Sequence, residues 1–322
     1  MKAIVVHEAG GPEKLTIEHV ADPRPGSADL LVDVRSAGVN FIDTYQRGGL
    51  YSLEFPFTPG LEGAGTVTAV GDGVTGFSVG DRVGWVSALG TYAEKHVVPA
   101  EKAIPIPEGL DSDIVAAALL QGITAHYLAN DTFPLEEGDR CLIHAGAGGV
   151  GLLLTQIAAA KGAMVITTVG TPEKAELSRA AGAAEVIIYT EADFKEEAER
   201  MIGAHSLDVV FDGVGAATFD KGLELLRPRG MMVTFGNASG PVPEIQPLIL
   251  AQKGSIFLTR PTMAHYVQNH EELLARAGDL FDWISSGTLD VRIGHEYPLD
   301  QAADAHRALE GRETTGKVLL HP

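Results

Sequence analysis

Arg140-Cys141-Leu142-Ile143-His144-Ala145-Gly146-Ala147-Gly148-Gly149-Val150-Gly151 reads as a buried strand running into a complete G-x-G-x-x-G turn and then a helix. In a doubly wound sheet the first glycine permits the tight turn, the second lets the backbone approach a pyrophosphate, and the third lets helix and strand pack closely. Leu152 to Ala160 supplies the helix, Lys161-Gly162 ends it, and Ala163-Met164-Val165-Ile166-Thr167-Thr168-Val169 supplies a second, β-branched strand. The turn therefore sits inside a β-α-β unit whose helix N-terminus faces an anion. Gly146, Gly148, Gly149, Val150 and Gly151 become the first candidate dinucleotide-binding residues.

The end of the second strand bears on which dinucleotide. A site for NAD places Asp or Glu about 20 residues after the glycines, on the ribose 2′-OH. Here Val169 leads instead into Gly170-Thr171-Pro172-Glu173-Lys174. Small Gly170 and Thr171 leave room for a 2′-phosphate and Lys174 can offer it an ammonium, which favours NADPH. Lys174 has a second reading as a solvated helix lysine. Glu173 falls beyond the strand and is read as the first-turn acid of the next helix. The third strand, Glu185-Val186-Ile187-Ile188-Tyr189, ends in an aromatic that either flanks the adenine end or packs in the core.

The 322 residues are 45% hydrophobic, with no apolar run near the roughly 18 residues that span a bilayer, so a soluble chain of two domains is expected. Met1-Lys2-Ala3-Ile4-Val5-Val6-His7-Glu8 has too short an apolar stretch for a signal peptide, and a cytoplasmic protein is inferred. The single cysteine, Cys141, lies in the first strand of the dinucleotide unit and is read as packed rather than reactive. A formal charge of −19 argues against a broad polyanion-binding surface, so nucleic acid is not an expected partner. No basic amphipathic segment supports a membrane surface.

Before residue 115 come short β-like runs such as Leu30-Leu31-Val32-Asp33-Val34, Gly65-Thr66-Val67-Thr68-Ala69-Val70 and Asp81-Arg82-Val83-Gly84-Trp85-Val86, separated by Gly, Pro and Asp turns. A helix capped by Asp111 or Ser112 runs toward Ala129 and leads into the nucleotide domain. Asp208 to Asp212, Gly230 to Gly236 and Ser255 to Arg260 then alternate with helical stretches and complete a six-strand parallel sheet. The tail holds one amphipathic helix, His270 to Ser285, and the apolar run Gly316-Lys317-Val318-Leu319-Leu320, and is read as folding back onto the first domain. The fold class is α/β, with boundaries 1–117, 118–261 and 262–322.

Several motifs in order resemble the medium-chain dehydrogenase/reductase superfamily, and within it the zinc-free quinone oxidoreductases related to zeta-crystallin. They are Gly38-Val39-Asn40-Phe41-Ile42-Asp43-Thr44-Tyr45, Pro59-Gly60-Leu61-Glu62-Gly63-Ala64-Gly65, the glycine turn, Phe235-Gly236-Asn237-Ala238-Ser239-Gly240, Leu258-Thr259-Arg260-Pro261 and Gly316-Lys317-Val318-Leu319. The resemblance covers essentially the whole chain and implies a Rossmann domain plus a GroES-like catalytic domain. One departure is Gly146, where many relatives carry Ala.

The superfamily's alcohol dehydrogenases hold a catalytic zinc with a Cys, a Gly-His-Glu motif and a further Cys or acid. Here Asn40 stands for the first Cys and Leu61 for the His, and one cysteine cannot build a thiolate cluster. No metal is expected, Glu62 is read as structural, and reduction of an electron-poor acceptor fits better than alcohol oxidation.

The resemblance implies that Asn40, Phe41, Asp43 and Tyr45 contact the nicotinamide half and the acceptor. Asn40 and Tyr45 would donate to a developing oxyanion and Phe41 would form a wall. It also implies that Gln121, Thr124 and Tyr127 approach the nicotinamide, that Phe235, Gly236, Asn237 and Leu258 line the dinucleotide at the sheet's carboxyl edge, and that Lys317 stands near the cofactor. Tyr127 can instead serve only packing, and Lys317 can be a surface lysine.

The leading expectation is an NADPH-dependent quinone reductase with no firm general acid. The alternative is reduction of the C=C bond of an enone, alkenal or enoyl thioester, and a third is a non-catalytic NADPH-binding or RNA-binding protein. A homodimer through the last Rossmann strand, Ser255 to Thr259, is expected because that apolar edge would otherwise stay unpaired.

Overall fold

The computed structural model describes residues 1–322, which divide into two compact units, Met1–Ile123 with Val267–Pro322, and Thr124–Tyr266. The first unit contains β1 (Lys2–Val5), β2 (Thr16–His19), β3 (Asp29–Val39), α1 (Phe41–Arg47), β4 (Glu62–Val70), β5 (Arg82–Val86), β6 (Lys95–Pro99) and β7 (Ala103–Pro105). Helix α2 (Ser112–Tyr127) follows, and the division falls within it, between Ile123 and Thr124, whereas the sequence reading sets the boundary at 117/118. The second unit then runs β8 (Arg140–His144), α3 (Gly149–Ala160), β9 (Met164–Val169), α4 (Pro172–Ala180), β10 (Glu185–Ile188), α5 (Phe194–Ile202), β11 (Leu207–Asp212), α6 (Phe219–Leu225), β12 (Leu226–Thr234), α7 (Leu248–Gln252) and β13 (Phe257–Thr259). The chain returns to the first unit with α8 (His270–Ser285), β14 (Ile293–Pro298), α9 (Ala302–Glu310) and β15 (Lys317–His321).

The second unit has the expected six-strand sheet, in the order β10-β9-β8-β11-β12-β13 with every pair parallel. Helices packed on such a sheet bury its strands, which is why β8, β9 and β11 read as near-continuous apolar runs. Leu142, Ile166, Ile187, Val210, Phe219 and Met232 form the core. Strand order reverses between β8 and β11, so the loops leaving these two strands open the crevice where a doubly wound sheet takes its ligand. Strand β13 is the outer edge, with Phe257 56% exposed.

The first unit is built on a largely antiparallel sheet in the order β14-β15-β3-β4-β5-β7, with β6 also pairing β3. Ile4, Leu30, Val32, Trp85, Tyr92, Val318 and Leu320 fill its core. The tail belongs to this unit, where its strands β14 and β15 extend the sheet beyond β3. Strand β15 pairs β3 with Val318 opposite Val39, while β4 pairs β3 with Gly63 opposite Ala37. Continuing each antiparallel register by one residue brings Lys317 beside Asn40 and Glu62 beside Gly38, at one end of three adjacent strands.

Candidate active site

Two buried polar networks meet at Asn40. In the first, Lys317 pairs with Glu62, their side chains 1% and 0% exposed. The Asn40 amide lies between them: Lys317 Nζ donates to its Oδ1 at 2.9 Å, and its Nδ2 donates to Glu62 Oε2 at 2.8 Å and to Gly38 O at 3.3 Å. Gln121 Nε2 also donates to Asn40 Oδ1 at 3.4 Å. The other Glu62 oxygen accepts the backbone N–H of Leu120, in the middle of α2, at 2.6 Å. A Cβ on Gly38 would stand 2.5 Å from Glu62 Oε2 and 2.7 Å from Lys317 Nζ. Glycine is required there because the ion pair crosses the backbone at that point.

In the second network Asp43 Oδ2 accepts the backbone N–H of Asn40 at 2.8 Å and the Tyr92 hydroxyl at 2.9 Å. His306 Nε2 lies 3.1 Å from that hydroxyl, and Arg47 Nη1 lies 2.9 Å from His306 Nδ1. A guanidinium only donates, so His306 accepts at Nδ1, donates from Nε2 to Tyr92, and the Tyr92 hydroxyl in turn donates to Asp43. Glu310 holds the far side of Arg47 at 2.7 Å. Burial pushes the Asp43 carboxyl up to about 7, against the two hydrogen bonds, and its Oδ1 has no partner. Burial, reinforced by Arg47, pulls His306 down to about 3, so the imidazole is neutral.

This geometry changes two expected roles. Both N–H groups of the Asn40 amide are spent on Glu62 and Gly38, so Asn40 is not a spare oxyanion donor. Lys317 is not a surface lysine: its ammonium is enclosed against Glu62 and Asn40. Asp43 likewise faces inward. What α1 presents outward is aromatic: Phe41 and Tyr45 are half-buried with ring centroids 6.1 Å apart, and Tyr45 meets Tyr51 edge-on at 5.7 Å. Glu62 is surrounded by an amide, an ammonium and a backbone N–H, a donor set unsuited to a metal, and no three His, Cys, Asp or Glu side chains cluster elsewhere.

In the second unit the glycine turn follows β8 as expected. Helix α3 starts at Gly149, its N-cap Gly148 makes no side-chain cap bond, and no acid occupies its first turn, so the N–H groups of Gly149 and Val150 are available to an anion. A Cβ on Gly151 would come 2.2 Å from Ala145 O, the close approach the third glycine allows. A Cβ on Gly146 would meet Thr167 Cβ at 2.5 Å and Ser178 Oγ at 2.8 Å. The hydroxyls of Thr167 and Ser178 bond to each other at 2.7 Å and fill the volume an alanine methyl would need. Thr171 caps α4 through the N–H of Lys174 at 3.3 Å, and Lys174 is half-buried. Glu173 is a first-turn acid of α4 as read, held below its usual value by its own backbone N–H and the Thr171 hydroxyl. Gly170 leaves room for the Tyr189 hydroxyl, which a Cβ there would meet at 2.8 Å, and Tyr189 is 39% exposed rather than core. Thr124 is buried, and Tyr127 packs in a stack on Tyr266 with centroids 4.2 Å apart.

Strand β12 ends at Thr234, so Phe235, Gly236 and Asn237 lie in the loop at the carboxyl edge, and Leu258 lies within β13. Arg260, just past β13, holds that loop: Nη1 donates to Gly236 O at 3.1 Å and to Thr234 Oγ1 at 3.3 Å. With the Asn237 amide turned to donate to Gly236 O at 3.0 Å, its Oδ1 accepts from Arg260 Nη2 at 3.1 Å. Asp212, at the end of β11, accepts Val214 N, Gly215 N and the Thr218 hydroxyl within 3.0 Å and shapes the opposite lip. Sequence reasoning gave Arg260 no role, although a cation just past a strand was a usable signal. Tyr92 and His306 had none, being 214 residues apart in the chain.

Residues 149–279 match the zinc-binding dehydrogenase family and residues 26–108 the alcohol dehydrogenase GroES-like domain. A quinone oxidoreductase from Pseudomonas aeruginosa is 44% identical over 315 residues, covering 97% of each chain. A 2-haloacrylate reductase from Burkholderia is 41% identical over 328 residues, covering 99% of this chain and 98% of its own. Among solved structures, Escherichia coli quinone oxidoreductase complexed with NADPH superposes with a TM-score of 0.98 at 40% identity, covering 100% of both chains. With its glycine turn, its N-terminal sheet closed by the returning tail and relatives matched along nearly their full length, the chain belongs to the quinone oxidoreductase family of the medium-chain dehydrogenase/reductase superfamily.

Proposed function

We propose that this protein is an NADPH-dependent quinone reductase that transfers hydride to a quinone without a metal. The observation that carries the reading is the carboxyl edge of the parallel sheet: an uncapped α3 N-terminus for a pyrophosphate, followed by Gly170, Thr171 and Lys174 where an NAD site has an acid. These residues fit the cofactor, which supplies the hydride when bound. Gly148, Gly149 and Val150 hold the pyrophosphate, Lys174 and Thr171 the 2′-phosphate, Tyr189 the adenine end, and the 235–237 loop the nicotinamide half. In the other unit Phe41, Tyr45 and Tyr51 offer an aromatic face of the kind a quinone ring packs on. Tyr45 is the hydroxyl of that face suited to meet developing negative charge on the acceptor.

Steady-state NADPH oxidation with 1,4-benzoquinone, 1,4-naphthoquinone and a panel of alkenals tests the reading; quinone turnover at background beside fast alkenal turnover overturns it. Lys174→Ala should lower the NADPH/NADH preference, and an unchanged ratio removes Lys174 from the assignment. A second reading, reduction of an activated C=C bond, draws on the 2-haloacrylate reductase at 41% identity, and the same panel separates the two.

We further propose a homodimer through β13, supported by its edge position and by Phe257 at 56% and Leu248 at 63% exposure. Phe257→Lys should give a monomer by sedimentation; a wild-type monomer at micromolar concentration refutes this. A cytoplasmic setting is supported by the lone cysteine, Cys141, which is wholly buried and whose thiol burial pushes far up, away from redox chemistry.

A further inference from the structure

Lys317 is 277 residues from Asn40 in sequence and one register step away across the β15–β3 pair. Every hydrogen-bonding position of the Asn40 amide is taken: Oδ1 by Lys317 and Gln121, Nδ2 by Glu62 and Gly38. Which way round the amide sits is dictated by the ammonium, because an amide turned over would aim N–H groups at Lys317 and an oxygen at the Glu62 carboxylate. The backbone N–H of Asn40 is tied separately to Asp43. Asn40 is also the N-cap of α1, and the helix it starts carries Phe41 and Tyr45. Through Glu62 Oε1 the same ion pair holds the Leu120 N–H of α2, next to Gln121.

A buried ion pair contributes little net stability compared with apolar residues of the same volume, yet it fixes direction tightly. Glycine at position 38 keeps the space for it open, since any side chain there would strike both partners. The cation lies between the residue standing at a zinc-ligating cysteine's place, Asn40, and the acid that follows Leu61.

We propose that Lys317 is a positioning residue, an internal counter-cation that orients Asn40 and thereby sets the Phe41–Tyr45 face against which the acceptor is reduced. It touches neither substrate nor cofactor. The proposal rests on the quinone-reductase reading for its kinetic consequence and on the geometry alone for its structural one.

The test uses the full chain as wild type, Lys317→Met and Glu62→Gln/Lys317→Met. The double variant buries no unpaired charge. Its introduced glutamine amide has a single oxygen, which cannot serve Leu120 N and Asn40 Nδ2 together, so Asn40 must turn over while the fold stands. With NADPH and 1,4-naphthoquinone, kcat should fall about tenfold to a hundredfold in the double variant, as displacements near 1 Å do, while the NADPH Kd stays within about threefold. Amide exchange should quicken in 38–47 and 118–122. Retention of kcat within about twofold overturns the proposal, as do equal losses of kcat and NADPH affinity, or failure of the double variant to fold, each of which makes the pair merely structural. If wild type turns over no quinone, the functional reading fails by itself, and exchange at 38–47 still decides the positioning: unchanged exchange in the double variant overturns it.

Discussion

Replacing Asp43 with asparagine should change how stability depends on pH, in a direction opposite to ordinary acid denaturation. Burial raises the Asp43 carboxyl from its ordinary 3.8 to about 7 in the folded protein. Between these values the folded state holds a proton that the unfolded chain has released, so Asp43 stabilises the fold in acid and costs stability as pH rises. At about 1.4 kcal/mol per pH unit, the cost of the ionised carboxylate at pH 8 is about 4 kcal/mol. His306 and His96 work the other way: burial lowers them from 6.5 to about 3 and about 4, so the unfolded chain takes up protons that the folded chain refuses, and their stability is lost as pH falls below 6.5.

His144, buried and likewise held below its ordinary value, acts in the same sense. In wild type the Asp43 contribution cancels part of this histidine slope between pH about 4.5 and 6; in Asp43→Asn nothing cancels it, and the slope is steeper by about 1.4 kcal/mol per pH unit. The oxygen of the introduced asparagine keeps the bonds from Asn40 N and Tyr92. Its amide nitrogen then occupies the place of the unpartnered Asp43 Oδ1, a pH-independent cost of about 1–3 kcal/mol. Urea unfolding followed by tryptophan fluorescence from pH 4.5 to 8 measures both curves. The variant should gain on wild type by about 1.4 kcal/mol for each pH unit from 4 to 7. Parallel curves would refute the reasoning, because they would mean that Asp43 titrates alike folded and unfolded.

Gly38→Ala should destabilise by about 1–3 kcal/mol or displace the Lys317–Glu62 pair, since its methyl would lie 2.5–2.7 Å from both partners; an unchanged Tm together with unchanged kcat would contradict the passage of the ion pair over the backbone there. Gly146→Ala should cost a similar amount, about 1–3 kcal/mol, because its methyl would meet Thr167 Cβ at 2.5 Å and Ser178 Oγ at 2.8 Å; an unchanged Tm in thermal denaturation would contradict this. Arg260→Ala frees the 235–237 loop from its charged hydrogen bonds and should raise the NADPH KM about tenfold, roughly 1.5 kcal/mol; a folded variant with wild-type KM would show that this loop does not line the cofactor.

The nucleotide unit was legible because its rules are local. A strand, three spaced glycines and a helix start within twelve consecutive residues, and the absence of an acid after Val169 is read a few residues beyond the next strand. Even there, Arg260 escaped, because its partners Gly236 and Asn237 are on the neighbouring strand's loop. In the first unit the motif Asn40 to Tyr45 was visible, yet the work of each side chain was not. Asn40 and Lys317 were assigned toward a ligand, whereas the sheet register turns both onto Glu62.

Spacing and residue type alone dictate a doubly wound dinucleotide domain, a β-rich companion, and the lack of thiolate and histidine ligands for zinc. Where the buried charges go is a matter of the assembled fold. Strand β15 slides between β14 and β3, bringing a lysine near the C-terminus onto an acid at residue 62, and α9 supplies a neutral histidine to Tyr92 and Asp43. Such pairings depend on which strands are neighbours and in what register. That is set by burial of whole faces rather than by any local run of residues.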